Sequence, residues 1–500
     1  MLCLKLLGPV VLMDDINRSD LDSGQQVDTS VVVNCLQKGD AKLALQHCHN
    51  LLARDPQHIQ TLLLAALASR SLEWLDSALD FINRAMVLAP KQPAIYSLMG
   101  DILLMEKRPE PALEALLKAH HLGDSSAQIN FNIGSAYLAL AAFNDAKIYF
   151  SKALSINPQM VAAHVNNGLV EHSLMKLEAA LDCFDAALCI DPDNVDAQWN
   201  KSHVLLTLGN YDEGFPLYET RWAHSQLSLK KREFDSQLWL GHEDLSGKTI
   251  VLFAEGGFGD TVQFIRYAKL FNSDVRVIIQ CQLPLVELIK GMGLEAVVIT
   301  TGETAPPHDF HCPLMSLPLA FKTTLNSVPA FDQYLYADPN LSKFWTDAFK
   351  HPKIPKIGVM VEGSNSFFGD QRGIPLSELV QFLPESSSYV LLHKNTSDED
   401  RAFLSNYDNW IAPCPNFSEA AAICQALDHV ISIDTSIAHL SAALGVPTTI
   451  LLPFRPDWRW GYQQSKTPWY PSAKLVRQTK HGDWCEALSN WHNDCLQIRC

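Results

Sequence analysis

A spacing of 34 residues, repeated through the first 200 positions, constrains the fold of this chain more than any other feature. Alanines keep this spacing at Ala44, Ala78, Ala112, Ala146 and Ala180. Glycines keep it at Gly100, Gly134 and Gly168. Prolines keep it at Pro56, Pro90, Pro158 and Pro192, with Asp124 in the missing place. One unit of this length cannot bury its apolar face alone, so neighbouring units must stack. The spacing therefore predicts an open array of repeats with a concave groove.

The residue types in each phase predict two antiparallel helices per unit. Glycine or alanine is needed where the helices approach closely, an aromatic such as Phe150 or Phe184 fills the gap beside it, and proline ends the second helix. This pattern resembles the tetratricopeptide repeat family. We predict five units in register and a degenerate sixth that caps the array, together residues 25–222, after an irregular segment at 1–24.

Composition excludes several classes of protein. The net charge is −16, which argues against a nucleic-acid binder that depends on phosphate contacts. None of the twelve cysteines lies in a C-x-x-C pair, so we predict reduced thiols in a cytoplasmic protein and no metal site. No stretch reaches 18 uninterrupted apolar residues, and the apolar start (residues 1–13) lacks the basic region of a signal peptide. We predict neither a membrane span nor a secretion signal.

From Lys248 onward, short β-branched runs alternate with helical stretches. Alternation of this kind predicts parallel sheets with helical crossovers. The predicted strands are residues 249–253, 275–280, 296–300, 357–361, 389–393, 430–433 and 448–452, whereas 305–329 is predicted to be irregular. The two series predict two Rossmann-like halves, residues 246–345 and 350–485, which face a cleft. Ligands of such folds bind at the carboxyl ends of the strands.

The turn after the first predicted strand is rich in glycine. It reads Glu255-Gly-Gly-Phe-Gly-Asp-Thr261, and Gly257 and Gly259 let backbone N–H groups approach an anionic ligand at the start of a helix. A dinucleotide fingerprint would need glycine where Val262 stands, and the chain has no Walker A sequence. The alternative is a tight turn in which Asp260 only caps the helix.

The second candidate turn follows the predicted strand 430–433. Asp434, Thr435 and Ser436 begin a helix, and His439 lies one turn further along. These residues could form hydrogen bonds with a diphosphate or a ribose. They are also ordinary capping residues, and a single histidine is more often structural.

Both turns resemble those of the ADP-heptose lipopolysaccharide heptosyltransferases and their GT-B relatives. The whole segment of about residues 200–485 looks like the C-terminal domain of bacterial tetratricopeptide proteins with a heptosyltransferase-like domain. The supporting stretches are Gly259-Asp-Thr-Val-Gln-Phe264, Cys312-Pro-Leu-Met-Ser-Leu-Pro318, Pro453-Phe-Arg-Pro-Asp-Trp-Arg-Trp460, Pro468-Trp-Tyr-Pro471 and Gly482-Asp-Trp484. The resemblance implies that Asp260 is the catalytic base. It also implies that Asp434, Thr435 and His439 surround the donor sugar and diphosphate.

The sequence departs from this family at two places. The stretch Val361-Glu-Gly-Ser-Asn365 puts Glu362 near the expected diphosphate, where a carboxylate would repel the donor unless it points away or binds a sugar hydroxyl. Relatives favour Arg-Ser-Ile-Pro where this chain has Arg372-Gly-Ile-Pro375. Lys394 supplies a second cation after the strand 389–393.

The leading hypothesis is an inverting, metal-independent glycosyltransferase without a cofactor. Asp260 and His439 are the predicted catalytic residues. The predicted donor-binding residues are Gly257, Gly259, Arg372, Lys394, Asp434, Thr435 and Ser436. The partners would be a nucleotide-sugar donor and a protein, peptide or glycan acceptor held in the repeat groove.

Two other functions stay open. The chain could be an adaptor whose α/β part is catalytically silent, which Glu362 favours and the retention of Asp260 and His439 opposes. A nucleotide-dependent enzyme such as an epimerase is disfavoured by the two Rossmann-like series. The acidic run Asp398–Asp400 resembles an Asp-x-Asp motif but is better explained as the first turn of a surface helix.

Overall fold

The computed structural model describes residues 28–224, 227, 234–349, 354–363, 373–384, 387–392, 409–411 and 416–497. The chain divides into two compact units, residues 2–200 and 201–500. Within the described ranges no helix combines the length and the apolar character needed to cross a membrane. The predicted fold class, an all-α array followed by an α/β part, is confirmed.

The first unit is a series of helical hairpins. Its helices are α1 (Ser30–Gln37), α2 (Ala41–Arg54), α3 (Ile59–Ser71), α4 (Leu75–Leu88), α5 (Pro93–Met105), α6 (Pro109–His121), α7 (Ala127–Ala139), α8 (Phe143–Ile156), α9 (Val161–Ser173), α10 (Leu177–Ile190) and α11 (Val195–Leu208), the last of which crosses the boundary between the units. Prolines of the 34-residue register lie two residues after the ends of α2, α4, α8 and α10. They therefore end the second helix of these four hairpins, as predicted.

Within a hairpin, the glycine of the first helix packs against the phenylalanine of the second helix. A Cβ added to Gly134 would lie 2.8 Å from the Phe150 ring, and one added to Gly168 would lie 2.5 Å from the Phe184 ring. Both rings are fully buried. Glycine is therefore required at these positions because the ring occupies the space of any side chain.

The turn inside each hairpin holds one residue in the left-handed backbone region. These residues, all 34 apart, are Gly39, Glu73, Lys107, Ala141, Met175 and Gly209, with φ between 55° and 83°. A left-handed residue reverses the chain after a helix, and only glycine adopts it without steric cost. The four central turns have residues other than glycine at this position and so pay a steric cost. The packing of the two flanking helices must compensate for it.

The second unit begins with α12 (Tyr211–Tyr218) and contains two parallel sheets. Its remaining elements are, in chain order, β1 (Gln237–Leu238), β2 (Thr249–Phe253), α13 (Phe258–Phe264), β3 (Arg276–Cys281), α14 (Val286–Lys290), β4 (Ala296–Thr300), β5 (Phe310–Pro313), α15 (Leu317–Ala320), α16 (Pro339–Ala348), β6 (Lys356–Met360), α17 (Leu376–Leu379), β7 (Ser388–Leu391), β8 (Asn409–Ile411), α18 (Phe417–Gln425), β9 (His429–Ile433), α19 (Ser436–Ala443), β10 (Thr448–Leu452), β11 (Ala473–Arg477) and α20 (Cys485–Gln497). The strand order is β1-β5-β2-β3-β4 in the first sheet and β11-β10-β9-β6-β7-β8 in the second.

One expectation about this unit is wrong. The tract 305–329 is not irregular throughout, because Phe310–Pro313 forms β5, which lies between β1 and β2. This strand has four residues and ends on a proline, and two further prolines precede it. A short strand of this kind lacks the run of β-branched residues that identified its neighbours.

Aromatic side chains of α12 pack onto the loop that follows β10. Tyr211, Phe215 and Tyr218 lie with their ring centroids 5.7–6.3 Å from that of Trp458. The indole of Trp469 donates a hydrogen bond of 3.2 Å to the Tyr211 hydroxyl. These contacts fix the loop that carries Arg459.

Candidate functional site

The turns that follow β2 and β9 meet at the carboxyl ends of the two sheets. A Cβ added to Gly259 would lie 2.9 Å from Cδ2 of His439 and 3.6 Å from Cα of Ser436. Only glycine at this position allows α13 to approach α19 so closely. The structure thus brings together two motifs that are 180 residues apart in the sequence.

Both carboxylate oxygens of Asp260 are engaged. Oδ2 accepts a hydrogen bond of 2.8 Å from the backbone N–H of Gly257, which caps the first turn of α13. Oδ1 forms an ion pair with the guanidinium of Arg459. The side chain of Asp260 is still 26% exposed. A carboxylate has about four acceptor positions, so these two contacts leave room for a substrate hydroxyl.

Arg459 connects the two halves of the α/β unit. Its guanidinium also pairs with Asp457 at 2.8 Å and donates a hydrogen bond of 2.6 Å to the side chain of Gln263. The ring centroids of Trp458 and Phe264 lie 4.9 and 5.5 Å from it. Burial alone would lower the pKa of Arg459, but the carboxylates of Asp457 and Asp260 outweigh it and raise that pKa. The guanidinium therefore stays charged and holds Asp260 in place.

His439 is buried beside these groups. Its Nδ1 shares a hydrogen bond of 2.8 Å with the Tyr470 hydroxyl, and its ring stacks on Trp460 with centroids 5.1 Å apart. Its Nε2 lies 3.8 Å from Oδ1 of Asp434. With Nδ1 engaged by Tyr470, the imidazole edge that carries Nε2 faces Asp434 and Gly259.

The start of α19 is suited to an anion. Thr435 is the N-cap, and its side chain forms no capping hydrogen bond. The Thr435 hydroxyl instead lies 3.0 Å from that of Ser432. Backbone N–H groups in the first turn of a helix attract negative charge. A Cβ on Gly363 would lie 3.1 Å from the Thr435 methyl group, so the end of β6, with the exposed Glu362, also borders this site.

The predicted site residues divide into two groups. Those that the structure brings together are Gly257, Gly259, Asp260, Asp434, Thr435, Ser436 and His439. Arg372, Lys394 and the acidic run Asp398–Asp400 lie outside the described residues. Among the described residues, no group of three or more histidine, cysteine, aspartate or glutamate side chains is arranged to hold a metal.

Sequence reasoning missed Arg459 and Glu255 as members of this site. Arg459 stands in the stretch Pro453–Trp460, which supports the resemblance to the heptosyltransferases but does not by itself assign a role to the arginine. Glu255 opens the glycine-rich turn, and its side chain is 4% exposed. Its Oε1 accepts hydrogen bonds of 3.1 Å from Arg221 and from the backbone N–H of Met315. The signal in the sequence is the position of Glu255, an acidic residue between a buried apolar strand and a glycine-rich turn.

Burial raises the pKa of Glu255 to about 7, although the charge of Arg221 opposes the shift. Between about pH 4.5 and 7 the carboxyl of Glu255 therefore stays protonated in the folded protein, whereas in the unfolded chain it has lost its proton. The contribution of Glu255 to stability is greatest below pH 4.5 and falls by roughly 3 kcal/mol as the pH rises through 7.

Replacing Glu255 by glutamine is expected to flatten the pH dependence of stability. The free energy of unfolding, measured with denaturant between pH 5 and 8, should fall less steeply in Glu255→Gln than in the parent protein. From pH 5 to 8, the free energy of unfolding should fall by on the order of 2–3 kcal/mol more in the parent protein than in the variant. Parallel curves would contradict the assignment of this titration to Glu255.

Comparison with known proteins gives a match to a family model and several partial relatives. The model "Tetratricopeptide repeat" matches residues 127–160. Protein FlbA of Caulobacter vibrioides is 22% identical over 471 residues, which are 87% of this chain and 72% of FlbA. The UDP-N-acetylglucosamine--peptide N-acetylglucosaminyltransferase of Giardia intestinalis is 30% identical over 22% of this chain and 8% of its own length. The human protein O-mannosyl-transferase TMTC3 is 30% identical over 23% of this chain and 13% of its own length.

Several solved structures match 34–43% of this chain, with TM-scores of 0.28–0.38. YrrB, described as a TPR protein with an unusual peptide-binding site, is 19% identical over 36% of this chain and 95% of its own, with a TM-score of 0.30. MamA is 22% identical over 34% of this chain and 97% of its own, with a TM-score of 0.30. The family match and the helical hairpins together show that this chain carries tetratricopeptide repeats.

Proposed function

We propose that this chain is an inverting, metal-independent glycosyltransferase that uses a nucleotide-sugar donor. The observation that carries the proposal is the close approach of Gly259 to His439, which joins the glycine-rich turn after β2 to the Asp-Thr-Ser turn after β9. Parallel sheets bind their ligands at this edge. A donor in the cleft would meet helix starts from both halves, as in the heptosyltransferase-like GT-B proteins that the sequence resembles.

In the proposed reaction, Asp260 takes the proton from an acceptor hydroxyl while the oxygen of that hydroxyl attacks the anomeric carbon of the donor sugar. The bond from that carbon to the diphosphate oxygen breaks, and the configuration inverts. The leaving diphosphate gains negative charge, which the first-turn N–H groups of α19 stabilise. Nε2 of His439 lies at the same edge, and Arg372 and Lys394 are proposed as cations for the diphosphate.

The repeats are proposed to hold the acceptor or a partner protein. Tetratricopeptide arrays present an extended concave surface, and two of the partial relatives are named for sugar transfer to peptide or protein. The proposal places the repeats at residues 25–222 and the two Rossmann-like halves at 246–345 and 350–485, whereas the segment 1–24 lies outside the described residues. It places the protein in the cytoplasm.

A second function, that of a catalytically silent adaptor, is favoured by one observation. Asp260 is both a helix cap and the partner of a buried arginine, so its position has a structural explanation that needs no substrate. Glu362 adds an exposed carboxylate beside the start of α19. An adaptor would keep the fold of the cleft and lose the affinity for a nucleotide diphosphate.

The two functions are separated by incubating the intact protein with ADP-, GDP-, UDP- and CMP-sugars. A glycosyltransferase is expected to bind at least one donor and to release its nucleotide slowly to water, which coupled assays and calorimetry can measure. A sugar phosphate without a nucleotide, incubated in parallel, serves as a control for contaminating phosphatase. Neither binding nor release across the panel would refute the enzyme and leave the adaptor.

A further inference from the structure

The face of the second sheet that packs against α20 changes character at its amino end. The register aligns Val359, Ile431, Thr449 and Lys474 in one row across β6, β9, β10 and β11. Ile357 and His429 pair two residues earlier, on the same face. Towards the carboxyl end the same face is apolar and packs against Trp484 and Leu488. Three polar residues on adjacent strands, His429, Thr449 and Lys474, therefore interrupt an otherwise apolar face.

A cavity of about 720 Å³ lies over this part of the sheet. Its walls include the buried side chains of Ile357, Ile431, Ala487 and Trp491. Cavities of 300–1,000 Å³ with mainly apolar walls and a few polar groups are typical of small-molecule sites. Its lining runs from the amino ends of β9, β10 and β11, at Asp428, Pro447 and Ser472, to Arg477 at the carboxyl end of β11. Asp260, Asp434 and His439 are not part of the lining that the structure describes.

The polar groups at this cavity favour an anion. Lys466, Lys474 and Arg477 contribute to its lining. Burial lowers the pKa of Arg477 to about 10, so it remains charged at neutral pH. Burial, together with the charge of Lys474, lowers the pKa of His429 to about 4, so its imidazole is neutral. Asp428 is the one carboxylate among the described lining residues, and it accepts a hydrogen bond of 2.8 Å from the backbone N–H of Lys356.

The side chains of His429 and Thr449 form a hydrogen bond with each other. Nε2 of His429 lies 2.9 Å from the hydroxyl of Thr449. No salt bridge forms between Lys474 and an acidic side chain in the described part of the chain. The ammonium group of Lys474 is thus an exposed charge at the cavity wall with no acidic partner among the described residues, next to an imidazole whose pKa it lowers.

We propose that this cavity binds an amphipathic anion, whose apolar body lies against Ile357, Ile431 and Trp491 and whose carboxylate or phosphate pairs with Lys474. The apolar wall selects an alkyl or other apolar body through burial of surface. The lysine selects charge over a neutral head group. This site is separate from the proposed donor site and does not depend on the proposed function.

Titration calorimetry on the intact protein tests the proposal with three ligands of equal chain length, decanoate, decyl phosphate and decanol, below their micelle concentrations. The anions are expected to bind at least tenfold more tightly than decanol, and the comparison of the two anions identifies the preferred head group. Lys474→Gln should remove this preference while decanol binding stays the same. The control Lys480→Gln changes an exposed lysine outside the cavity and should leave the preference intact.

Two results would overturn the proposal. One is equal affinity for all three ligands, or no binding of any, because the lysine would then select nothing. The other is an equal effect of Lys474→Gln and Lys480→Gln, because the preference would then reflect the net charge of the protein. A preference lost only in Lys474→Gln supports the site.

Discussion

Replacing Asp260 by asparagine is expected to lower kcat for sugar transfer by about 10²–10⁴-fold, the usual contribution of a general base. The asparagine oxygen can still accept a hydrogen bond from Gly257 or Arg459, so the fold of the cleft should persist. Donor KM should change little, because the base contacts the acceptor. Initial rates at saturating donor, with binding of the donor measured separately, give this result.

Asp457→Asn is the matched control for this substitution. Asp457 pairs with the same guanidinium, at 2.8 Å, and is not assigned to the reaction. Both variants remove one negative charge beside Arg459, so both are expected to destabilise the protein by a similar amount. A loss of kcat in Asp260→Asn alone supports the base. Equal losses in both variants would show that Asp260 acts only by holding Arg459.

Replacing Phe184 by alanine is expected to cost about 3–5 kcal/mol of stability, as for other buried phenylalanines. The ring is fully buried and lies against Gly168, which has no side chain that could move into the cavity. Thermal and denaturant unfolding followed by circular dichroism measure the loss. Because neighbouring repeats stabilise one another, the loss should spread beyond one hairpin.

Phe184→Leu provides the comparison. The unit at Gly100 has Leu116 in the phase of Phe184, so leucine is compatible with this packing. We expect Phe184→Leu to cost clearly less than Phe184→Ala. Ile156→Ala, which shortens an exposed side chain on α8, should change stability by no more than about 0.5 kcal/mol. Equal effects of all three substitutions would contradict the packing described for the hairpins.

The periodic parts of the fold could be predicted from sequence because one physical cause dominates them. The spacing of Gly134 and Phe150 reflects a contact within one hairpin, and the strands Thr249–Phe253 and Thr448–Leu452 are continuous runs of residues that favour buried strands. Strand β5 was missed because its four residues lie among prolines. The left-handed turns were also missed, since four of the six use residues other than glycine.

The candidate site was predicted only in part, for a different reason. The turns around Asp260 and Asp434 have local sequence patterns that indicate helix starts after strands. The pairing of Asp260 with Arg459 joins residues 199 positions apart, and no spacing in the sequence encodes it. The raised pKa of Glu255 likewise comes from burial in the folded chain, which outweighs the opposing contacts with Arg221 and Met315 from other segments.

The position of Arg459 has a consequence for how fast a ligand could enter and leave the cleft. The guanidinium comes from the second half, whereas Asp260 and Gln263 belong to the first. A hinge motion that opened the cleft would separate Arg459 from Asp260 and Gln263 but leave its ion pair with Asp457. The cost is that of hydrogen bonds to a charged group, about 1.5–3 kcal/mol. The open form would then be about one molecule in ten to about one in a hundred, since 1.4 kcal/mol is about a factor of ten. Exchange of a bound ligand would be limited by this rare opening unless the ligand itself replaces one partner of Arg459.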